Sequence, residues 1–437
     1  MWWGVSAVLL IHLWALPRVF NAPPLRLDSD TAAMLDAIQA SGGLAGVGRW
    51  FRGDWLLENG FYRPISSASL TLDYALYGEA AWGFCFTNWL LLLTIALGVA
   101  VLTPRLLNVA PAWGWGVAVV LSAQYTGLTR LLTPYSTWGW VLIVLVGISL
   151  WAWRSGVRLD PDLWEQFDTR WLWIALAVGA LFWGFDRLLD ADYVRLIEWV
   201  PSRTALLGAA FGVWAAVCFL RAGEEGSWRW LGLGGLLYLL ALGSYEQPIM
   251  LAPFITATAI ARRTLWKENA FTVAGTALAC ALLIVMLRLS FVTTEPTRYQ
   301  QQQLRSSLSG PMLTYFSDLF PPVSQWGYWR TVGLEPTVWL LKDPWDRLVG
   351  LLLYAGVLVA FYRWRGRFGY ALGWHALTLL PMAFLHPFEH YWVLPQVGKT
   401  LTDCLLIGWG IHAFVACLQA EWGKILHDGT RADPAGV

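Results

Sequence analysis

Long apolar segments alternate with short polar turns along most of the chain. A bilayer-spanning helix needs about 17–25 apolar residues, and the sequence has roughly twelve runs of that length. They lie at about 2–20, 82–103, 112–129, 134–153, 171–187, 200–220, 229–244, 247–262, 270–291, 345–362, 368–386 and 400–420. The pattern predicts an all-α polytopic integral membrane protein with about twelve transmembrane helices.

Two long polar stretches, about 21–81 and 292–344, interrupt these runs and are predicted to be external loops. We expect the first loop to carry short amphipathic helices. Residues 1–420 should form one transmembrane domain, followed by a short cytoplasmic tail at 421–437. The N-terminal segment lacks a basic region and a small-residue cleavage site, so we interpret it as a retained first helix rather than a signal peptide.

The positions of Lys and Arg predict the orientation, because short cytoplasmic loops carry an excess of both. With a cytoplasmic N-terminus, the basic clusters RRTLWK and RWRGR both fall inside. Both termini are then cytoplasmic, and the long loops are extracytoplasmic. The membrane would be a bacterial inner or plasma membrane, or an ER-like membrane.

Composition narrows the possible classes of function. The chain is 57% hydrophobic and 14% charged, which a water-soluble domain of 437 residues would not tolerate. Its net charge of +1 argues against binding nucleic acid. The five Cys form neither a CxxC nor a Cys/His cluster, so the sequence indicates no zinc site, no disulfide framework and no required cofactor.

Polar and ionisable residues collect in the segments predicted to face outward. The most unusual passage is FYRPISSASLTLDYALYGEAAWGFCFTN, residues 61–88, which lies between membrane-length segments. An ionisable residue close to the bilayer is costly unless it is paired or wetted, so such residues are candidates for a site. The candidates are Asp28, Asp30, Arg63, Arg203, Glu246, Glu389, His390 and Lys399.

Residues 61–88 are similar to the first-loop signature of the GT-C superfamily, the multi-spanning glycosyltransferases that use a polyprenyl-phosphate sugar. Three further passages resemble motifs of this superfamily, in the same order: IEWVPSRTALLGAAF, LLALGSYEQPIMLAP and PFEHYWVLPQVG. The resemblance is closest to the O-mannosyltransferases that carry tetratricopeptide repeats, although no repeats follow residue 420 here. It extends from about residue 28 to 400.

The resemblance implies a GT-C-like fold and a membrane glycosyltransferase. Such an enzyme transfers a sugar, for example mannose, from a polyprenyl-phosphate donor to a protein or glycan acceptor on the extracytoplasmic face. Because the lipid phosphate is already a good leaving group, one carboxylate acting as base can suffice, and in-line attack would invert the anomeric carbon. The partners are then membrane lipid, the lipid-linked sugar and the acceptor.

The resemblance implies that Asp28 or Asp30 is the base. Two carboxylates so close together would raise the pKa of one of them towards a useful range. The alternative is structural, since Asp30 followed by TAAMLDAIQ is also a plausible N-cap for a short helix at about 31–40. The two roles can coexist.

The other candidates also have two interpretations. Arg203, Lys399 and Arg63 could hold the donor phosphate, or could reach lipid headgroups. Glu246 could shape the site or sit in a simple interfacial turn. His390, next to Glu389, could contact donor or acceptor or make an interfacial hydrogen bond. A metal site of the form His386-x-x-Glu389-His390 is disfavoured, because Pro387 opposes the helix that this motif requires.

Two rival functions stay open. The chain departs from the family pattern at Tyr245, His390 and Cys85, and in the split pair Asp28-Ser29-Asp30, so a catalytically degenerate subunit of a larger membrane complex is one alternative. A lipid or sugar transporter is the other. It rests on a weak internal similarity between LLTPYSTWGWVLIVLVGISLWAWRSG and IEWVPSRTALLGAAFGVWAAVCFLRAG.

Overall fold

The computed structural model describes residues 2–131, 137–154, 169–190, 193–292, 295–303, 355–385 and 389–429. Within these ranges the chain forms α-helices and short 3-10 turns without a β-strand, which confirms the predicted all-α class. Most of the predicted loop 292–344, the first part of the predicted span 345–362 and His386 lie outside the described residues.

The helices follow the apolar runs closely. We number them α1 (Trp2–Trp14), α2 (Leu16–Phe20), α3 (Ser29–Ala40), α4 (Pro64–Tyr77), α5 (Ala81–Leu107), α6 (Pro111–Thr126), α7 (Thr137–Arg154), α8 (Thr169–Asp190), α9 (Arg195–Glu198), α10 (Arg203–Glu225), α11 (Trp228–Leu242), α12 (Leu251–Ala261), α13 (Arg263–Trp266), α14 (Asn269–Phe291), α15 (Arg298–Gln303), α16 (Arg365–Ala383) and α17 (Val393–Gly429).

Several of these helices have the length and composition of membrane spans, as in an integral membrane protein. Among the described residues, five segments are long and apolar enough to cross a bilayer: Trp2–Phe20, Ala81–Leu107, Val200–Glu225, Asn269–Phe291 and His390–Cys417. Shorter apolar helices cover Trp173–Phe185, Trp228–Leu242 and Gln247–Ala261.

The chain divides into two compact units. The larger comprises Met1–Thr129, Ala191–Phe320 and Gly369–Leu401, and the smaller comprises Arg130–Asp190, Pro321–Phe368 and Thr402–Val437.

Helix α10 is the central helix of the larger unit. In its apolar window 83% of the residues are buried, against 28% in the window of α14. Its neighbours include α5, α11, α12 and α14. A helix that is apolar on all sides is expected in a core. Small residues permit close approach here, since a Cβ at Gly208 would lie 3.0 Å from Tyr245 and one at Gly212 would lie 2.9 Å from Leu251.

The first predicted loop is a folded structure with its own hydrophobic cluster. Helix α3, a 3-10 turn at Gly43–Phe51 and helix α4 enclose this cluster. Its buried members are Leu25, Met34, Leu35, Ile38, Trp50, Trp55, Leu56, Leu70, Phe84 and Val200. Because Phe84 lies in α5 and Val200 begins the Val200–Glu225 segment, the cluster anchors the loop to the ends of two membrane-length helices.

The start of α4 bonds to the turn that follows α11. Ile65 N donates to Gly243 O at 3.0 Å, and Ser66 Oγ donates to Ser244 O at 2.8 Å. A Cβ on Gly243 would lie 2.9 Å from Ile65, so the close approach favours glycine at this position. These contacts place Arg63, just before α4, next to the segment that carries Glu246.

The smaller unit contains α7, α8, the helical residues 355–363 and the part of α17 from Thr402 onward. Glycines allow α8 and α17 to approach closely, since a Cβ at Gly184 would lie 2.7 Å from Ile407 and one at Gly410 would lie 2.7 Å from Leu181. Helix α8 therefore packs directly against α17 within this unit.

Candidate functional site

Asp28 is the N-cap of α3. Its Oδ2 accepts hydrogen bonds from Thr31 N at 2.9 Å and from Thr31 Oγ1 at 2.6 Å. The structural alternative drawn from the sequence placed the cap at Asp30, but the helix starts at Ser29, which places Asp30 in its first turn. The earlier start is explained by the two bonds from Thr31, since a cap accepts from a residue two or three positions later.

Asp30 is exposed to solvent just beyond the cap. Partial shielding from water raises the pKa of its carboxyl group above the ordinary value of 3.8, and the negative charge of Asp28 adds to the increase. The two close aspartates therefore have different surroundings. Asp28 is bonded to the helix end, whereas Asp30 presents a carboxylate of increased basicity to solvent.

Arg63 and Glu246 form a bidentate ion pair although they are 183 positions apart. Arg63 Nη2 lies 2.7 Å from Glu246 Oε2, and Arg63 Nε lies 3.0 Å from Oε1. The Arg63 side chain is 10% exposed and that of Glu246 is 32% exposed. Burial by itself lowers the pKa of Arg63, but the negative charge of Glu246 keeps this pKa above its ordinary value. The structure thus brings together two of the predicted site residues.

Three aromatic rings surround the guanidinium of Arg63. Its Cζ lies 4.2 Å from the ring centre of Phe61, 4.7 Å from that of Trp55 and 4.8 Å from that of Tyr245. Such contacts favour a cation in a partly dehydrated position. No acceptor among the described residues bonds to Arg63 Nη1. The guanidinium of Arg63 is therefore held in place, and its Nη1 does not bond to Glu246.

His390 lies close to the same group of residues. Its ring centre is 6.1 Å from that of Tyr245, 5.0 Å from that of Trp199 and 4.4 Å from that of Tyr391. The guanidinium of Arg63 contacts the same Tyr245 ring. Glu389 begins the 3-10 turn Glu389–Trp392, so it is adjacent to these residues along the chain.

Tyr299 lies beside Phe61 in the candidate site. Partial burial raises the pKa of its hydroxyl above the ordinary value of 10.0. Its ring centre lies 6.3 Å from that of Phe61. The segment is held by Thr297, whose Oγ1 donates to Asn59 O at 2.9 Å, and by Gln300, whose Nε2 donates to Gly60 O at 2.8 Å.

Arg203 has a different environment from Arg63. It is completely buried, and each of its three nitrogens bonds to protein. Arg203 donates hydrogen bonds to Asn88 Oδ1 at 2.6 Å, Ser69 Oγ at 3.0 Å and Phe84 O at 2.8 Å. It also forms an ion pair with Asp73, in which Nη2 lies 2.7 Å from Oδ2. The guanidinium therefore fastens α4 and α5 to the start of α10. A contact with the donor phosphate stays a prediction.

Lys399 is partly buried in α17, where the adjacent Gly398 packs against the backbone of α16 at His375. It is not among the hydrogen-bond or ion-pair partners of Arg63 or Glu246 in the part of the chain that the structure describes. Its predicted contact with the donor stays a prediction.

Several residues of this cluster were not among the candidates taken from the sequence. Tyr299, Tyr391, Tyr245 and Trp55 complete the surroundings of Arg63, and Asp73 is the ion-pair partner of Arg203. The one available signal was the abundance of aromatic residues beside predicted helix ends. Within the described ranges, no group of three or more His, Cys, Asp or Glu is placed to hold a metal ion.

Comparisons with known proteins identify no relative: no protein-family model, no curated protein and no solved structure matches this chain.

Proposed function

We propose that this chain is a membrane glycosyltransferase that transfers a sugar from a polyprenyl-phosphate donor to a protein or glycan acceptor, with inversion. The proposal includes about twelve transmembrane helices in a GT-C-like arrangement, cytoplasmic termini and an extracytoplasmic site. It rests on the order of the sequence motifs and on the contacts made by Arg63.

The observation that carries the proposal is the ion pair between Arg63 and Glu246. This pair links the first loop to the turn before α12. The loop and the turn each contain one of the four passages that resemble the superfamily. His390, from a third passage, lies near the ring of Tyr245, which also contacts Arg63. Residues far apart in sequence thus form one charged and aromatic cluster near the ends of apolar helices. Such clusters of ionisable groups are typical of functional sites.

In this proposal Asp30 is the base, and Asp28 is the alternative. The Asp30 carboxylate takes the proton from the acceptor hydroxyl, whose oxygen attacks the anomeric carbon as the bond to the phosphate oxygen breaks. The polyprenyl phosphate leaves with both bonding electrons. Asp30 suits the base because Asp28 already accepts two hydrogen bonds and because the pKa of Asp30 is raised.

Arg63 is the proposed contact for the donor phosphate, through Nη1. A guanidinium held by Glu246 and three rings has lost most of its freedom before the ligand arrives, which lowers the entropic cost of binding. Lys399 and His390 are further contacts in this proposal, and Glu389 lies beside them.

Donor turnover tests the proposal. Purified full-length protein in nanodiscs would be given radiolabelled polyprenyl-phosphate mannose or glucose, with a mixture of hydroxyl-containing peptides and envelope glycans as acceptors. We expect transfer to a macromolecular product and release of polyprenyl phosphate, both lost in Asp30→Asn. Full activity in Asp28→Asn, in Asp30→Asn and in the double variant would refute the assignment of the base.

A second function, that of a non-catalytic subunit on the same scaffold, is favoured by one observation. Both Arg63 and Arg203 are already neutralised by acidic partners within the chain, which weakens their attraction for a phosphate. In this case the protein would co-purify with a larger membrane complex and would not bind a lipid-linked sugar. Binding of polyprenyl-phosphate mannose or glucose by the isolated chain would exclude this reading.

A further inference from the structure

One face of α17 carries a groove in the smaller unit. The residues Trp409, His412, Ala413, Ala416 and Cys417 recur at intervals of three, one, three and one, the spacing of residues that share one side of a helix. Ala413 and Ala416 are small and leave space between the larger side chains. The helix face therefore forms a trough with a mainly apolar floor.

Other elements of the same unit complete the groove. It has a volume of about 410 Å³ and is also lined by Trp173 of α8, Arg363 and Trp364. This volume is within the range of about 300–1,000 Å³ that small-molecule sites occupy. The ring centres of Trp364 and His412 are 6.1 Å apart. Three tryptophans, one arginine and one histidine thus surround an open, apolar space.

Two of the lining tryptophans lie at helix ends. Trp173 is near the start of α8, and Trp364 is the turn between helical residues 355–363 and α16, whereas α17 continues past the groove to Gly429. Tryptophan is enriched at the boundary between lipid tails and water. These positions are those of a site that opens at one membrane surface.

Arg363 supplies the charge at the groove. It is the charged residue among those that line the groove, it is exposed, and its Cζ lies 5.1 Å from the ring centre of Trp173. Arg365 and Arg367 follow within four positions, with their Cζ atoms 5.9 and 5.0 Å from the ring centres of Tyr362 and Trp364. Asp403 and Glu421 flank the lining part of α17 in sequence, but among the described residues that line the groove none is acidic. The arginine at the rim therefore attracts an anionic group.

From this combination we infer that the groove binds one anionic glycerophospholipid. The lipid phosphate contacts Arg363 at the rim, and an acyl chain lies along Trp173, Trp409, Ala413 and Ala416. Basic pockets between membrane helices bind acidic lipid headgroups for this reason. A free phosphate would use the arginine but leave the apolar floor uncovered, so the mainly apolar lining of the groove fits a lipid. The inference is independent of the proposed glycosyltransferase activity.

Native mass spectrometry of the full-length protein tests this inference. Protein released from detergent would be titrated with phosphatidylglycerol or phosphatidylcholine. We expect the first phosphatidylglycerol molecule to bind more tightly than further phosphatidylglycerol molecules and more tightly than phosphatidylcholine. Arg363→Gln should weaken it about fivefold, the effect of losing one basic residue near an anionic lipid, and should weaken phosphatidylcholine less, because its choline cation offsets the phosphate charge. Ala416→Trp should weaken both lipids, because the indole fills the acyl part of the groove.

Matched controls lie elsewhere in the chain. Arg229, which stacks on Trp228 at 5.8 Å, and the exposed Ala279 of α14 provide Arg229→Gln and Ala279→Trp, and neither should change lipid binding. Arg363→Lys should retain most of the preference for phosphatidylglycerol. Millimolar inorganic phosphate should not displace the lipid. The inference fails if Arg363→Gln and Ala416→Trp bind phosphatidylglycerol like the unmodified chain, or lose it no more than the control variants do.

Discussion

At the scale of single residues, Asp28 and Asp30 show how two close carboxylates take different roles. Asp28 accepts two hydrogen bonds from Thr31 and caps α3, while Asp30 is exposed in the first turn. The charge of Asp28 contributes to the raised pKa of Asp30. Asp28 therefore affects the proposed base in two ways. Its charge raises the pKa of Asp30, and its side chain caps the helix that carries Asp30.

This arrangement predicts a pH effect. A base must be deprotonated, so donor turnover should fall as the pH drops through the pKa of Asp30, which lies above the ordinary value of 3.8. Asp28→Asn removes a negative charge but keeps a good capping side chain. The acidic limb of the pH–rate profile should therefore move to lower pH.

The control for the pH effect is Asp28→Ala, which should also lower stability by about 1 kcal/mol through loss of the cap. An acidic limb that stays in place in Asp28→Asn, with activity retained, would contradict the assignment of Asp30 as the titrating base.

The partly buried ion pair of Arg63 and Glu246 leads to a second prediction. Glu246→Gln leaves the guanidinium without its counter-charge among three aromatic rings. We expect a loss of roughly 1–3 kcal/mol, less than for a fully buried pair because the Glu246 side chain is 32% exposed. The measurement is the midpoint of thermal unfolding in detergent.

The chain offers a matched control in the pair of Arg26 and Glu79, which has similar geometry, with Arg26 Nη2 2.6 Å from Glu79 Oε1, but is much more exposed. Glu79→Gln should leave the midpoint almost unchanged, since water screens the pair. Equal effects of the two substitutions would show that burial of Arg63 adds nothing to its pairing.

Sequence reasoning identified Arg63 and Glu246 separately but not as partners. Helix caps and apolar runs are local and can be read along the chain, whereas this pair depends on how α4 meets the turn after α11. The same limit applies to Arg203. Its position before an apolar helix suggested a ligand contact, but its burial against Asp73 depends on packing between distant segments.

At the scale of elements, the locations of the helices followed from the sequence because membrane-length apolar runs have few alternative conformations. The sequence could not predict which of these helices is buried by the others. Segments Val200–Glu225 and Asn269–Phe291 are both strongly apolar, yet they differ threefold in burial. Exposure to lipid and burial in protein select similar side chains, so composition does not separate them.

Helix α6 provides a prediction at this scale. A Cβ at Gly114 would collide with the backbone oxygen of Ala100 in α5, whereas one at Gly116 would meet nothing within 4 Å. Gly114→Ala should therefore force α5 and α6 apart and destabilise the protein by about 1–3 kcal/mol. Gly116→Ala should be neutral or stabilise by up to about 1 kcal/mol, because alanine favours the helix.

The two alanine variants lie two positions apart in the same helix, so differences in expression or detergent are controlled. Thermal unfolding of both variants under the same conditions is the measurement. A Gly114→Ala variant as stable as Gly116→Ala would show that α5 and α6 are not in close contact.

At the scale of the whole molecule, the proposed topology can be tested by labelling cysteines. In a cysteine-free background, Arg52→Cys lies in the first loop and Arg365→Cys lies at the first residue of α16, and both positions are exposed. A membrane-impermeant maleimide added to intact cells should label position 52 directly. It should label position 365 only after the membrane is permeabilised.

This labelling tests the orientation of the chain in the membrane and does not require catalytic activity. Labelling of both positions in intact cells would overturn the cytoplasmic placement of position 365, and labelling of position 365 alone would overturn the placement of both. The basic residues near position 365 would then lie on the face where the positive-inside rule does not expect them.

The ion pair of Arg63 and Glu246 also constrains how this sequence can change over time. Removing either partner alone leaves a charge in a partly buried aromatic setting, whereas replacing both by neutral residues avoids that cost. Single losses should therefore be disfavoured by selection, and descendants of this chain should keep or lose the two residues together. Covariation between positions 63 and 246 is thus a signature by which divergent homologues could be aligned.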